Sequence, residues 1–323
     1  MTIVDPLAAL PTPALLLDER RMLANIARLR ERAAALGVRL RPHLKTAKSV
    51  EVARRLLDGG AKAATVSTLR EAEVFFRADV RDLLYAVGVS LQKLPQVAAL
   101  RAAGCELTVL LDTLEQADAL VAASRAAGAP FPALIEIDCD GQRGGLAPDD
   151  DTLIRIGRLL QEGAELRGVM THAGGSYGAV GVEAHADFAE RERHAVVSAA
   201  GRLREAGLPC PVVSVGSTPT VFAARNLDGV TELRAGVYVI FDLVMAGIGV
   251  CAVEDIVLSV LTTVIGHQHA HGRILVDAGW MAMSRTGEPR VRWWTTRATG
   301  SFETQMGASS PISFCRRPTR SMA

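Results

Sequence analysis

Neither sign of charge dominates this chain: 36 Lys and Arg stand against 35 Asp and Glu, a formal net charge of +1. Without a concentrated basic field, a nucleic-acid groove and an anionic membrane surface are both disfavoured as partners. No apolar run reaches the length of a membrane span. The first residues, with Asp5 and Pro6 among them, lack the basic-then-apolar build of a secretion signal, so a cytoplasmic protein is expected. Cysteine is sparse: Cys105, Cys139, Cys210, Cys251 and Cys315 are odd in number, far apart and free of C-x-x-C spacing. That pattern argues against a disulfide framework and a zinc knuckle, and leaves most of them as small core residues. Internal repeats and low-complexity linkers are missing as well. What is present is a chain of 323 residues, 49% hydrophobic, long enough to bury a large core. Small-molecule chemistry follows by elimination.

From Val38 onward, short apolar β-branched runs alternate with amphipathic stretches rich in Ala, Arg and Leu, the signature of βα units around a parallel sheet. Strands are expected at 38–43, 63–67, 83–87, 107–112, 133–138, 166–173, 212–217 and 231–236. Helices are expected between them, notably at 69–77, 113–127 and 182–206, several with a Ser, Thr or Asp in N-cap position. Eight such units predict an α/β fold, a (β/α)8 barrel over 12–248. An open doubly wound sheet is the alternative, but it would carry a Gly-rich dinucleotide loop after its first strand, where this chain has His43-Leu44-Lys45. A short strand at 14–18 and a helix at 19–35 precede the barrel strands. After Val250, strand-like runs at 256–265 and 273–276 lack intervening helices and suggest a partial β domain, 249–291 together with 1–11.

Polar residues collect at the predicted C-terminal strand ends: Lys45 after the first, Arg143 after the fifth, His172 and Tyr177 after the sixth, Ser217 and Thr218 after the seventh. In a barrel these surround one mouth, the face where active sites are built. A lysine at a strand mouth is partly desolvated and loses its proton more readily, which makes Lys45 a Schiff-base candidate. Its rival, Lys48, is expected one turn into the following helix and pointing to solvent. Gly216-Ser217-Thr218-Pro219-Thr220, between a strand and a short helix, combines glycine, two hydroxyl residues and a helix N-terminus, features that suit a phosphate; an ordinary capped turn reads the same way. Arg234-Ala235-Gly236-Val237-Tyr238 provides the neighbouring loop. A lysine and a phosphate cradle at one mouth together suggest pyridoxal phosphate.

The motif Arg41-Pro42-His43-Leu44-Lys45-Thr46, the opening Thr12-Pro13-Ala14-Leu15, Glu136-Ile137-Asp138, the run from Thr171 to Tyr177 and the Gly216–Thr220 loop resemble the D-threonine aldolase and D-serine dehydratase family. These are fold-type III pyridoxal-phosphate enzymes of the alanine racemase type, and the resemblance runs from about Thr12 to Gly279. It implies that Lys45 carries the cofactor, that His172 lies against one face of its ring with Tyr177 on the substrate side, and that Arg143 sits near its phenolic oxygen. It places Gly216, Ser217, Thr218, Gly236, Val237 and Tyr238 around the phosphate. Taken singly, His172 reads equally as a core histidine, Arg143 as a surface ion-pair partner and Tyr177 as a packing aromatic. Ala47 departs from the family, which has histidine there.

The resemblance further implies a lyase acting on D-3-hydroxy amino acids, by aldol cleavage or by dehydration. It also implies a divalent metal on the substrate hydroxyl, held by a His-x-Cys or His-x-Asp pair near the C-terminus. This chain has no such pair there, so no metal ligand is assigned. After Val291 the sequence runs Arg292-Trp293-Trp294 and onward without helical or strand period, and an aberrant, frameshifted tail over 292–323 is the expectation. His267, His269 and His271 offer alternate imidazoles, but a solvated turn before Gly272 is the plainer reading. Amino-acid racemisation and non-catalytic pyridoxal-phosphate binding are the alternative functions. The resemblance leaves open a homodimer across the β domain.

Overall fold

The computed structural model describes residues 6–58, 62–279 and 282. The tail expected to be aberrant, 292–323, lies outside them. In chain order the elements are β1 (Ala14–Leu17), α1 (Glu19–Ala35), β2 (Arg39–Leu40), α2 (Val50–Leu57), β3 (Ala63–Val66), α3 (Leu69–Arg77), β4 (Asp82–Gly88), α4 (Leu94–Ala102) and β5 (Glu106–Leu111). Then follow α5 (Leu114–Ala127), β6 (Pro132–Ile137), α6 (Thr152–Leu160), β7 (Glu165–Thr171), α7 (Val182–Glu205), β8 (Val212–Val215), α8 (Thr218–Ala223) and β9 (Glu232–Leu233). The last are α9 (Leu243–Gly247), β10 (Leu258–Leu261), β11 (Val264–Gln268) and β12 (Arg273–Val276). Among the described residues no helix is long and apolar enough to cross a membrane.

By internal contacts the chain divides into two compact units, Asn25–Val239 and Met1–Ala24 with Ile240–Ala323. The first contains one eight-stranded sheet in the order β2-β9-β8-β7-β6-β5-β4-β3. Every pairing in it is parallel. A further parallel bridge between His43 and Thr65 joins the two ends and completes the ring. All eight expected strands are present, and the barrel, not the doubly wound sheet, is the architecture. β2 is labelled over two residues only, yet the amides of Arg39, Arg41 and His43 bond in turn to the carbonyls of Thr231, Leu233 and Ala235, so the extended path runs on to His43 as expected.

Helix starts follow the predicted caps. Thr68 accepts from the Glu71 amide, and Thr113 forms a reciprocal capping box with Gln116. One expectation fails here. Lys48 is not in a helix, because Ser49 caps α2 at Val50; Lys48 takes a left-handed conformation with φ +48°. Its side chain does reach solvent, 64% exposed and 3.3 Å from Glu71.

Alternate strand positions point inward. On the β4–β7 side the barrel interior is apolar, with Leu84, Leu110, Leu134 and Met170 forming one buried cluster. On the opposite side it is charged: Arg41, Ser214, Glu232 and Arg234 are all buried. Cys105 and Cys210 are buried as expected of small core residues.

In the second unit β1 pairs antiparallel with β10, and β11 with β12. The single strand expected over 256–265 is broken at Thr262–Thr263. There the Asp277 carboxylate accepts from the Thr262 hydroxyl at 2.7 Å, the Thr263 amide at 2.9 Å and the Thr12 hydroxyl at 2.5 Å, which diverts the backbone. His269–His271 form the expected turn, closed by Gly272 at φ +59°, while His267 remains on β11.

Candidate active site

Lys45 leaves the barrel strand at its C-terminal mouth, accessible from solvent, with its amide 3.4 Å from Nδ1 of His43. Partial desolvation lowers its pKa first, and repulsion from Arg143 and Arg234 lowers it further, with Glu71 opposing. An amine that is both reachable and less firmly protonated is what attack on an aldehyde requires. His43 is also held well below the usual histidine range, by burial and then by Lys45, Arg234 and His172, so it adds no positive charge.

His172 follows β7. Its Nδ1 lies 2.7 Å from the Gly216 carbonyl and donates to it, and burial, helped by Arg234, Lys45 and Arg143, pushes its pKa down to about 4. The ring is therefore neutral at pH 7 and fixed in orientation. Tyr177, in the turn Gly174–Gly178, lies with its ring centroid 5.9 Å from that of His172 and tilted by 34°. Arg143 is exposed on the loop after β6, and among the described residues it forms no ion pair. Glycine in the β7 loop lets it approach: a Cβ on Gly174 would lie 3.2 Å from Arg143 Nε. The neighbouring Gly175 amide donates to Asp140 at 2.7 Å, tying the β6 and β7 loops together.

The remaining predicted residues surround the loops after β8 and β9. Ser217 caps α8, and its hydroxyl is shared with Ser176 at 3.0 Å and Thr220 at 2.9 Å. Thr218 is different, since its buried hydroxyl has no hydrogen-bond partner among the described residues, as is also true of the Tyr238 hydroxyl. Gly216 adopts φ +138°, and a Cβ there would strike the Arg234 carbonyl; at Gly236 a Cβ would come within 2.8 Å of the His43 carbonyl and 2.9 Å of the Thr46 hydroxyl. Val237 and Tyr238 continue in a single turn of 3-10 helix, with Tyr238 fully buried. All ten predicted residues are thus brought to one end of one unit. A partnerless buried hydroxyl, two side-chain-free glycines and a depressed lysine fit pyridoxal phosphate. Among the described residues no group of three or more His, Cys, Asp or Glu is placed to hold a metal ion. Gly216→Ala is expected to cost more than about 1 kcal/mol of stability in urea unfolding and to weaken cofactor binding, because both the φ angle and the contact are forbidden to a Cβ.

Three charged residues were given no role by the sequence reading. Arg234, read only as part of a loop, is buried and donates to Ser214 Oγ and the Thr171 carbonyl, each at 2.6 Å. Glu136 faces the mouth with its carboxyl raised by burial and by Asp112, and pulled back by Arg234 and Arg143. Glu192 projects inward from α7 at 1% exposure, and burial pushes it up to about 7. The alternation Glu232-Leu233-Arg234, two charges on one strand face, was a readable signal. Glu192 had none, since Glu190-Arg191-Glu192-Arg193 reads as a solvated helix face.

The family model of the alanine racemase N-terminal domain matches residues 17–243. D-threo-3-hydroxyaspartate dehydratase of Delftia sp. (strain HT23) is 57% identical over 283 residues, covering 87% of this chain and 74% of that protein. Its solved structure superposes with a TM-score of 0.84 over 87% of this chain and 75% of that one. D-serine dehydratase of Dictyostelium discoideum is 28% identical over 87% of this chain and 75% of its own length. The structure of D-threonine aldolase from Filomicrobium marinum, 28% identical, matches with a TM-score of 0.72 over 84% of this chain and 74% of that one. With a family model matched over 17–243 and a relative 57% identical over 87% of this sequence, the chain belongs to the alanine racemase N-terminal domain family of fold-type III pyridoxal-phosphate enzymes.

Proposed function

We propose that this protein is a pyridoxal-phosphate-dependent lyase that dehydrates D-3-hydroxy amino acids, with D-threo-3-hydroxyaspartate as the first substrate to test. One observation carries the reading: a desolvated, accessible Lys45 shares its mouth with a neutral His172 and a buried, partnerless Thr218 hydroxyl. The likeness to the Delftia dehydratase supports dehydration over aldol cleavage.

Bound pyridoxal phosphate would supply the electron sink that acidifies the substrate α-carbon. Lys45 would hold the cofactor's aldehyde carbon and, once displaced by substrate, take the α-proton on Nζ. Arg143 and Arg234 keep that amine from binding its proton too tightly. His172, neutral and oriented by Gly216, would bear on the ring face without adding charge. Thr218, with the amides beside Gly216 and Gly236, would take the phosphate. Loss of the α-proton and of the β-hydroxyl eliminates water and leaves an enamino acid, whose imine tautomer takes up one water, releasing ammonia and leaving a 2-keto acid. A divalent ion, where one binds, would assist departure of that hydroxyl.

Incubation with D-threo-3-hydroxyaspartate, D-serine, D-threonine and L-alanine, with and without Mn²⁺ or Zn²⁺, separates the readings. Keto acid and ammonia from a D-3-hydroxy acid are expected. Glycine and an aldehyde would make the protein an aldolase, an inverted amino acid a racemase, and cofactor binding without product a carrier.

A further inference from the structure

We propose that Glu192 is a positioning residue whose carboxylate, reaching through the barrel wall from α7, locks the backbone that seats His172 to the turn that seats the cofactor's phosphate. The proposal rests on the pyridoxal-phosphate reading and adds to it a residue from outside the mouth. Glu192 is 1% exposed. It accepts from the Ala173 amide at 2.7 Å. The Gly216 backbone and the Thr220 side chain lie close enough to offset part of the rise that burial gives its carboxyl. Ala173 directly follows His172, and His172 itself donates to the Gly216 carbonyl at 2.7 Å. Glu192 thus holds the backbone next to His172 while facing the turn to whose Gly216 carbonyl His172 is itself bonded. The Ser176–Ser217 hydroxyl contact, 3.0 Å, is the second tie between the same two loops.

A buried carboxylate is costly, and among the described residues Glu192 has no ion-pair partner within bonding distance; Arg234 acts on it only as a nearby charge. An apolar side chain would fill the wall at lower cost. What it would not do is accept from the Ala173 amide while facing the Gly216 backbone and the Thr220 hydroxyl. A carboxylate offers acceptors on both oxygens, whereas glutamine of the same shape offers one acceptor and one donor, and so sets a donor against a donor.

The test is therefore Glu192→Gln, assayed at about pH 8, where the carboxyl of the wild-type protein is ionised. Titration with pyridoxal phosphate is expected to show a roughly tenfold higher Kd, with an altered visible circular dichroism of the bound cofactor because the ring-facing histidine has shifted. Packing alone would tolerate glutamine, so an unchanged Kd and spectrum overturn the proposal. If Glu192→Gln does not fold, Glu192→Asp, which keeps the charge but retracts it by one methylene, carries the same expectation and the same overturning result. Failure of the wild-type protein to take up pyridoxal phosphate would instead remove the cofactor reading on which the proposal stands.

Discussion

Lys45→Ala is expected to abolish covalent capture of pyridoxal phosphate and to lower turnover by at least about 10³-fold. The loss is total for the adduct because alanine has no amine, and large for turnover because the same nitrogen is the proton acceptor. Thr218, Gly216 and Gly236 are untouched by the change, so non-covalent binding of the cofactor should survive in weakened form. Borohydride reduction of the cofactor-treated protein, followed by peptide mass analysis, reads the adduct directly. Lys48→Ala is the control: its side chain is 64% exposed and turned to Glu71, and capture should persist. A pyridoxyl group on Lys45→Ala, or its loss from Lys48→Ala alone, would show that the wrong lysine has been assigned.

The largest effect on stability should come from Glu232→Ala, at about 3–5 kcal/mol in urea unfolding. Glu232 is 1% exposed and accepts from Arg41 at 2.7 Å, from Arg39 at 2.8 Å and from Ser214 Oγ at 2.9 Å. Arg41 in turn forks onto Asp82 at 2.7 and 3.2 Å. Ser214 accepts from Arg234. Removing the carboxylate leaves Arg41 with Asp82 alone and Arg234 without its foremost opposing charge. Two buried guanidiniums then lose compensation together, which is why the cost exceeds that of a surface pair. Glu232→Gln, which keeps the shape and one acceptor, should fall between wild type and alanine. Burial raises the Glu232 carboxyl, but Arg41, Arg39 and Arg234 together outweigh it and hold the pKa below the ordinary value. Its contribution is accordingly complete above the unfolded-state carboxylate pKa and is lost as pH falls through the lower, folded-state value. Acid unfolding of Glu232→Ala should show less dependence on pH across that window than wild type. Equal stability of the two proteins at pH 7 would mean that the buried chain of charges is neutral in net effect.

Local pattern was enough to place the strands because each is a short apolar run closed by a capped helix, and both periods are written in adjacent residues. The same holds for the mouth: a barrel sends every strand end to one face, so Lys45, Arg143, His172, Tyr177 and the Gly216–Thr218 turn converge once the strands are counted. Errors arose where a single side chain, adjacent in one case and distant in the other, decides the local backbone. Ser49 delayed α2 past Lys48, and Asp277 split one expected strand into β10 and β11. The architecture, and the choice of Lys45 as the candidate lysine, thus came from the sequence alone, through periodicity and turn chemistry. Which hydroxyls among the described residues are left unpartnered, which histidines are held neutral, and that Glu192 is buried and not turned to solvent were decided only by the tertiary structure. Hydrogen-bond satisfaction and desolvation depend on every neighbour in space, and those neighbours are brought together from strands far apart in the chain.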